Sequence, residues 1–213
     1  MIDSFDSLAH ALQQRIPELA DGQTWWIGLA GAPGSGKSTL ATELKARLGR
    51  ALTIIPMDGF HYYRHELDAM PNPAYAHARR GTPFTFNAAK FVTTLLDARQ
   101  TGHGAFPSFD HHIGDPVEDA IHLAAGTPLV LVEGNYLLLD QAPWDRLRTE
   151  VFDETWYLDV PIDVCTQRVL ARHIQTGLTQ AEAQQRVEQN DRPNALLVAD
   201  VSVRYADRII RLA

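Results

Sequence analysis

The chain has 213 residues, enough for one α/β domain with a full core and a small inserted lid, and too few for a second independent domain. Apolar residues make up 45% and charged residues 21%, which excludes a disordered chain. The formal charge of −7 excludes the broad basic footprint that a nucleic-acid backbone needs, so anions must be met by a local site and the partners expected are small molecules.

The N-terminus, Met1-Ile-Asp-Ser-Phe-Asp6, lacks a basic segment followed by an apolar one, and no run reaches the roughly eighteen apolar residues of a membrane span. A cytoplasmic protein with no membrane partner is expected. Cys165, alone in the chain and set in an apolar segment, reads as a buried structural thiol. No heptad or unusually apolar face fixes the oligomeric state, and a homodimer stays open.

Phe5, Leu8, Ala9, Leu12 and Ile16 recur at helical spacing between Ser4 and Leu19, which predicts an amphipathic helix closed by Pro17 and Gly22. The apolar run Trp25 to Ala30 then gives way to Gly31-Ala32-Pro33-Gly34-Ser35-Gly36-Lys37-Ser38-Thr39, followed by helix-forming residues to Leu48. Strand, glycine loop and helix in that order fit G-x-x-x-x-G-K-[ST] without a mismatch, the pattern of a nucleotide-binding P-loop. Glycines let successive backbone N–H groups face a phosphate chain, and the helix start adds its positive dipole end. Lys37 would reach the β/γ-phosphates, Ser38 would offer its hydroxyl to Mg²⁺, and Thr39 adds a second hydroxyl near the α-phosphate.

Leu52 to Met57 predicts a buried strand that delivers Asp58 to its C-terminal edge, where open parallel sheets bind ligands. Asp58 reads either as a turn residue stabilising its own backbone or as a carboxylate that accepts a hydroxyl proton or holds Mg²⁺ through water. From Leu67 to Phe86, Pro71, Pro73, Gly81 and Pro83 predict a long loop. Its Arg79-Arg80 pair reads as a solvated pair or as a substrate-anion site.

Asn87 caps a helix over Ala88 to Arg99, and a short strand follows over Ala105 to Phe109. Asp110-His111-His112, with His61 and His65, would invite zinc, but no cysteine joins them, and they read as hydrogen-bonding members of a polar pocket. Asp115 to Asp119 reads as a solvated helix or turn start. Pro128 to Val132 is the clearest central strand, and the Glu133 that ends it fits the P-loop partner pattern for Mg²⁺.

Thr155 to Val160 predicts another buried strand, and Pro161 opens a helix to about Ile174 that shows Arg168 and Arg172 on one face. Thr179 caps a polar segment to Asn190, read with that helix as a mobile lid over roughly 163–192 that would carry the arginines inward. Asp191 to Val198 reads as an extended return, and Ala206 to Leu212 as a final strand.

Four segments, GAPGSGKST, MDGFHYYR, VEGNYLL and the Arg168…Arg172 helix leading to RYADRII, resemble the uridine kinase, phosphoribulokinase and pantothenate kinase group of P-loop kinases. The likeness runs over nearly the whole chain from Trp25. The pieces MDGFHY, RRGTPFTF, PSFDH, VEGNYLLLD and ND-x-PN are most similar to a bacterial branch of nucleoside- or sugar-kinase-like proteins, some labelled as kinases of fructose transport systems. The resemblance implies a three-layer P-loop NTPase fold with a mostly parallel central sheet and a small helical lid. It implies ATP and Mg²⁺ as cofactors, Asp58 as catalytic base, Glu133 with Ser38 on the metal, and Arg168 with Arg172 gathering phosphoryl charge.

The chain departs from the uridine kinases at Phe84, where they carry an Asp, and near Gly114, where they carry a base-reading His. A pocket without those polar partners should discriminate poorly for a ribose and a pyrimidine. Asp110, His111, His61 and Arg80 are the expected acceptor contacts. The resulting expectation is a small-molecule kinase acting on a hydroxyl of a sugar, nucleoside or pantothenate-like alcohol. Of its rivals, a GTPase-like switch would need a guanine-reading N-K-x-D, which the chain lacks, and an ATP-binding regulatory module without an acceptor stays open.

Overall fold

A computed structural model of the chain describes residues 2–110 and 112–212. Helix α1 (Phe5–Arg15) begins on a reciprocal cap, the Ser4 hydroxyl accepting from the Ser7 amide while the Ser7 hydroxyl accepts from the Ser4 amide. Strand β1 (Trp25–Gly31), helix α2 (Lys37–Leu48) and strand β2 (Leu52–Pro56) follow. The predicted loop over 67–86 is partly helical, a correction to the sequence reading. It holds the end of α3 (Arg64–Asp68), then α4 (Pro73–Ala78) and a single 3-10 turn at Pro83–Thr85. Pro73 starts α4 rather than breaking it, because its fixed φ suits a first helical position and Asn72 accepts from the Tyr75 amide.

Helix α5 (Ala88–Thr101) is capped by Asn87 as predicted and is followed by β3 (Gly104–Asp110) and β4 (Asp115–Leu123). These two strands pair antiparallel, so the acidic stretch from Asp115 is a strand and not a helix or turn start. Strands β5 (Leu129–Gly134) and β6 (Glu154–Leu158) precede α6 (Ile162–Gln175) and α7 (Gln180–Arg186). A π-helical turn at Val187–Asp191 then runs directly into α8 (Arg192–Tyr205), and β7 (Arg208–Ile210) closes the order. Residues 191–198 are therefore helical rather than extended. Pro193 lies in the first turn of α8, where its missing N–H costs nothing.

Five strands form one parallel sheet in the order β2-β5-β1-β6-β7. Alternate residues of β1 serve opposite faces: Ile27 and Leu29 pack with Leu8 and Leu12 of α1 and Leu40 and Leu44 of α2, while Trp26 and Ala30 pack with the α5 and α8 side. Helices thus cover both faces of a central sheet, the three-layer α/β arrangement expected. β5 and β1 have hydrogen-bonded neighbours on both sides, and every residue of β5 is buried. Burial of each such Leu, Ile or Val side chain is worth about 1.5–3 kcal/mol, which fixes these two strands, and the residues at their C-terminal ends, most firmly. Among the described residues, no helix is long and apolar enough to cross a membrane.

Candidate functional site

Parallel pairing sets Glu133 level with Leu29 of β1 on one side and Pro56 of β2 on the other. The β1–α2 loop, Asp58 and Glu133 therefore leave the sheet at the same edge. Asp58 itself sits in a 3-10 turn, Met57–Phe60, immediately beyond β2.

The loop's glycines are dictated by space and backbone. Gly36 is the N-cap of α2 at φ 96°, and no side chain caps that helix, so its first amides stay directed at the cleft. Gly34 has φ 82°, and a Cβ there would lie 2.4 Å from the Cys165 carbonyl oxygen. The Ser35 hydroxyl is buried with no partner, an orphaned polar atom inside the loop. A cradle of outward-facing amides and an unsatisfied hydroxyl fits a bound phosphate chain.

Lys37 is buried, and its ammonium donates to the Ala32 carbonyl at 3.2 Å and to Asn135 Oδ1 at 2.9 Å. Burial pushes its pKa below the ordinary lysine value, and the nearby Glu133 and Asp58 carboxylates oppose that fall. Glu133, 9% exposed, accepts the Ser38 hydroxyl at 2.9 Å. Burial pushes its pKa up, Lys37 pulls it down and Asp58 pushes it further up. The three charges thus sense one another across a shared space.

That space is a cleft of about 830 Å³. Its walls include Pro33, Gly34, Ser35, Gly36, Lys37, Ser38, Thr39, Asp58, Glu133, Arg168 and Arg172, all singled out from the sequence. Gly31 and Ala32 lie behind this lining, Gly31 as the end of β1 and Ala32 through the carbonyl that receives Lys37. Arg168 donates to the carbonyls of Gly34 and Ser35 at 3.3 and 3.4 Å, which ties α6 to the loop. Cys165 is buried against Ala32 and Ala195, and burial raises its thiol pKa. Asn135 and Asp159 also line the cleft and were missed in the sequence, although Asn135 stands only two residues beyond Glu133.

The predicted acceptor contacts gather beside the cleft but carry other bonds. His61 donates from Nδ1 to the Asp58 carbonyl at 2.9 Å, and its ring lies 3.9 Å from that of Phe86. Arg80 donates to the Gly114 carbonyl, to the Tyr62 carbonyl at 2.8 Å and to Asp115 at 3.0 Å. Asp110 Oδ1 accepts the amides of His112 and Ile113, shaping the β3–β4 turn. His111 lies outside the described residues.

A family model of the phosphoribulokinase / uridine kinase family matches residues 26–212. The chain belongs to that family. A Schizosaccharomyces pombe member named "Putative uridine kinase C227.14" is 41% identical over 206 residues, covering 92% of this chain and 86% of its own. The crystal structure of a "putative fructose transport system kinase" from Silicibacter sp. TM1040 superposes with a TM-score of 0.81 at 32% identity, covering 95% of this chain and 98% of that one. A second solved structure, YFH7 from Saccharomyces cerevisiae, described as "a putative P-loop containing kinase with a circular permutation", shares the fold with a TM-score of 0.84 at 22% identity, and the match covers 99% of each chain. Membership makes this protein an ATP-binding P-loop kinase, in agreement with the glycine cradle and the buried Lys37.

Proposed function

We propose that this kinase transfers the γ-phosphoryl group of MgATP to a hydroxyl of a small metabolite. One observation carries the reading: Lys37, Ser38, Glu133 and Asp58 come from three separate segments and meet in one cleft under the arginines of α6. MgATP, when bound, supplies the phosphoryl group and the divalent charge. The hard oxygen donors Ser38 and Glu133, with Asp58 nearby, fit a magnesium ion that keeps water and phosphate in the rest of its shell.

The chain's own residues then have distinct tasks. The amides of the 31–39 loop and Lys37 hold the phosphate oxygens, and Lys37 is kept in place by Asn135 rather than by a carboxylate, so its charge stays available. Asp58 receives the proton that leaves the acceptor hydroxyl as that oxygen bonds to the γ-phosphorus and the bond from that phosphorus to the departing ADP oxygen breaks. Arg168, bonded to the loop, and Arg172 add positive charge to the cleft, and α6 with α7 closes as a lid that limits water. Asp159, already paired with Arg211 at 2.8 Å, frames the rim.

The test is ATP consumption by purified protein, with Mg²⁺, against sugars, nucleosides, pantothenate and related alcohols. Acceptor-dependent release of ADP with a phosphorylated product is expected. ATP binding with no transfer to any acceptor would instead favour a regulatory ATP-binding module.

A further inference from the structure

Several long-range bonds seat the turn at 79–86 over the same sheet edge as Asp58. The Tyr136 hydroxyl, three residues past Glu133, donates to the Gly81 carbonyl at 2.5 Å. The Tyr62 amide donates to the Thr85 carbonyl at 2.9 Å, and His61 bridges to Phe86. The lid joins the same place: Asn190 Nδ2 donates to the Arg80 carbonyl at 3.1 Å, and Arg79 donates to the Gln189 carbonyl. Asp58 and Arg79 both act on the buried Tyr136 hydroxyl, with opposite signs.

Positive charge collects here in a protein whose overall charge is −7. Burial lowers the Arg80 pKa, its Asp115 partner opposes that fall, and the nearby positive charges of Arg64 and Arg186 add to it. The carboxylates at hand are already used: Asp115 pairs with Arg80, and Asp191 pairs with His173 at 2.8 Å. Arg80 gives its terminal amines to three acceptors already in the protein, and its Nε, like that of Arg79, is buried with no acceptor. Among the described residues, Arg79 has no carboxylate partner and its Nε is buried with no acceptor, while Arg186 has neither ion pair nor hydrogen bond. Asn190 Oδ1, in a residue only 2% exposed, is buried and unpartnered beside them.

The geometry points to an acceptor that carries an anionic group, a carboxylate or a phosphate, besides the hydroxyl it offers to Asp58, with Arg79 and Arg186 holding that group. This rests on the phosphoryl-transfer reading above and narrows its substrate class. A planar guanidinium anchored at one amine presents its remaining donors in the fork that carboxylates and phosphates match. A neutral polyol could accept from the buried Nε through a hydroxyl, but it would leave the guanidinium charge without a counter-charge. If Arg79 served only to clasp Gln189, its loss would depress all acceptors alike; an anion site makes the loss selective.

Wild type, Arg79→Ala, Arg79→Lys and Arg186→Gln, each checked for folding by circular dichroism, would be assayed with MgATP on matched pairs. Suitable pairs are D-glycerate and glycerol, pantothenate and pantothenol, and fructose 6-phosphate and fructose. In at least one pair the anionic member should show kcat/KM higher by about tenfold or more. That ratio should fall by about tenfold in Arg79→Ala, less in Arg79→Lys, and detectably in Arg186→Gln. Preference for the neutral member, or an anionic preference that survives Arg79→Ala, overturns the proposal. Where no pair is turned over, calorimetric titration of MgADP-saturated protein with D-glycerate and with inorganic phosphate decides. Binding that Arg79→Ala abolishes supports the anion site while removing the transfer reading. No binding, or binding that Arg79→Ala leaves unchanged, overturns the anion site.

Discussion

The P-loop end and the proposed acceptor side of this kinase are neighbours at one sheet edge, yet they are held together differently. At the P-loop end one short loop sets the shape, with Lys37 bonding the Ala32 carbonyl five residues away and Gly34 and Gly36 at positive φ. Its remote bonds, Lys37 to Asn135, Ser38 to Glu133 and Arg168 to Gly34, reach only the end of β5 and helix α6. On the acceptor side, bonds join remote segments: Asn190 to Arg80 and Arg79 to Gln189 each span 110 residues, and Tyr136 to Gly81 spans 55. The first arrangement takes its shape from one contiguous loop held against the end of β5 and against α6. The second depends on pairs of segments that must fit each other, which lets the acceptor change while the phosphate machinery stays.

If the two regions differ in this way, substitutions should separate catalysis from stability. Lys37→Met should lower phosphoryl transfer by about 10²–10³-fold, the effect of removing one pre-organised donor, while the protein stays folded because a buried ammonium is removed along with it. Steady-state assays and thermal melts together check this, and a melt that collapses would make Lys37 a structural residue. Arg80→Ala should do the reverse. It removes a buried guanidinium that bonds Tyr62, Gly114 and Asp115, and should cost about 2–3 kcal/mol in urea denaturation with the ATP affinity little changed. A fully stable Arg80→Ala protein that fails to use its acceptor would return Arg80 to the substrate contacts.

The smallest effect concerns pH. Burial raises the Glu133 pKa above the ordinary carboxylate value, so without nucleotide the native state holds a proton that the unfolded chain releases. Native stability therefore declines as pH rises from the unfolded value through the native one. Glu133→Gln lacks that decline, so its stability relative to wild type should increase across the same window. Denaturation midpoints at a series of pH values check it, and parallel curves would contradict it.

The same contrast explains what the sequence revealed. The β1–α2 loop, Asp58 after β2 and Glu133 near the end of β5 were legible because each follows an apolar run whose end a parallel sheet presents at its C-terminal edge. Strand β4 was hidden because most of its residues are exposed: paired with β3 alone, it shows little apolar alternation, and Asp119 interrupts it at φ 54°. The start of α8 was hidden by Pro193, which reads as a breaker unless the chain is already helical on entry, as the π-helical turn at Val187–Asp191 makes it. The clasp of Arg79 and Arg80 on the Val187–Asp191 turn and the β3–β4 turn has little local signature, since all but one of its acceptors, the Asp115 carboxylate, are main-chain carbonyls that every residue possesses.

The most direct test of phosphoryl transfer at this edge is turnover of Asp58→Asn, an isosteric change that removes the carboxylate's basicity and charge. With the screened acceptor, kcat should fall by about 10²–10⁴-fold, while the calorimetric Kd for MgATP stays within a few-fold of wild type. Undiminished kcat in Asp58→Asn would contradict the assignment of Asp58 as the base and, with it, the reading of the cleft as the place where phosphoryl transfer occurs.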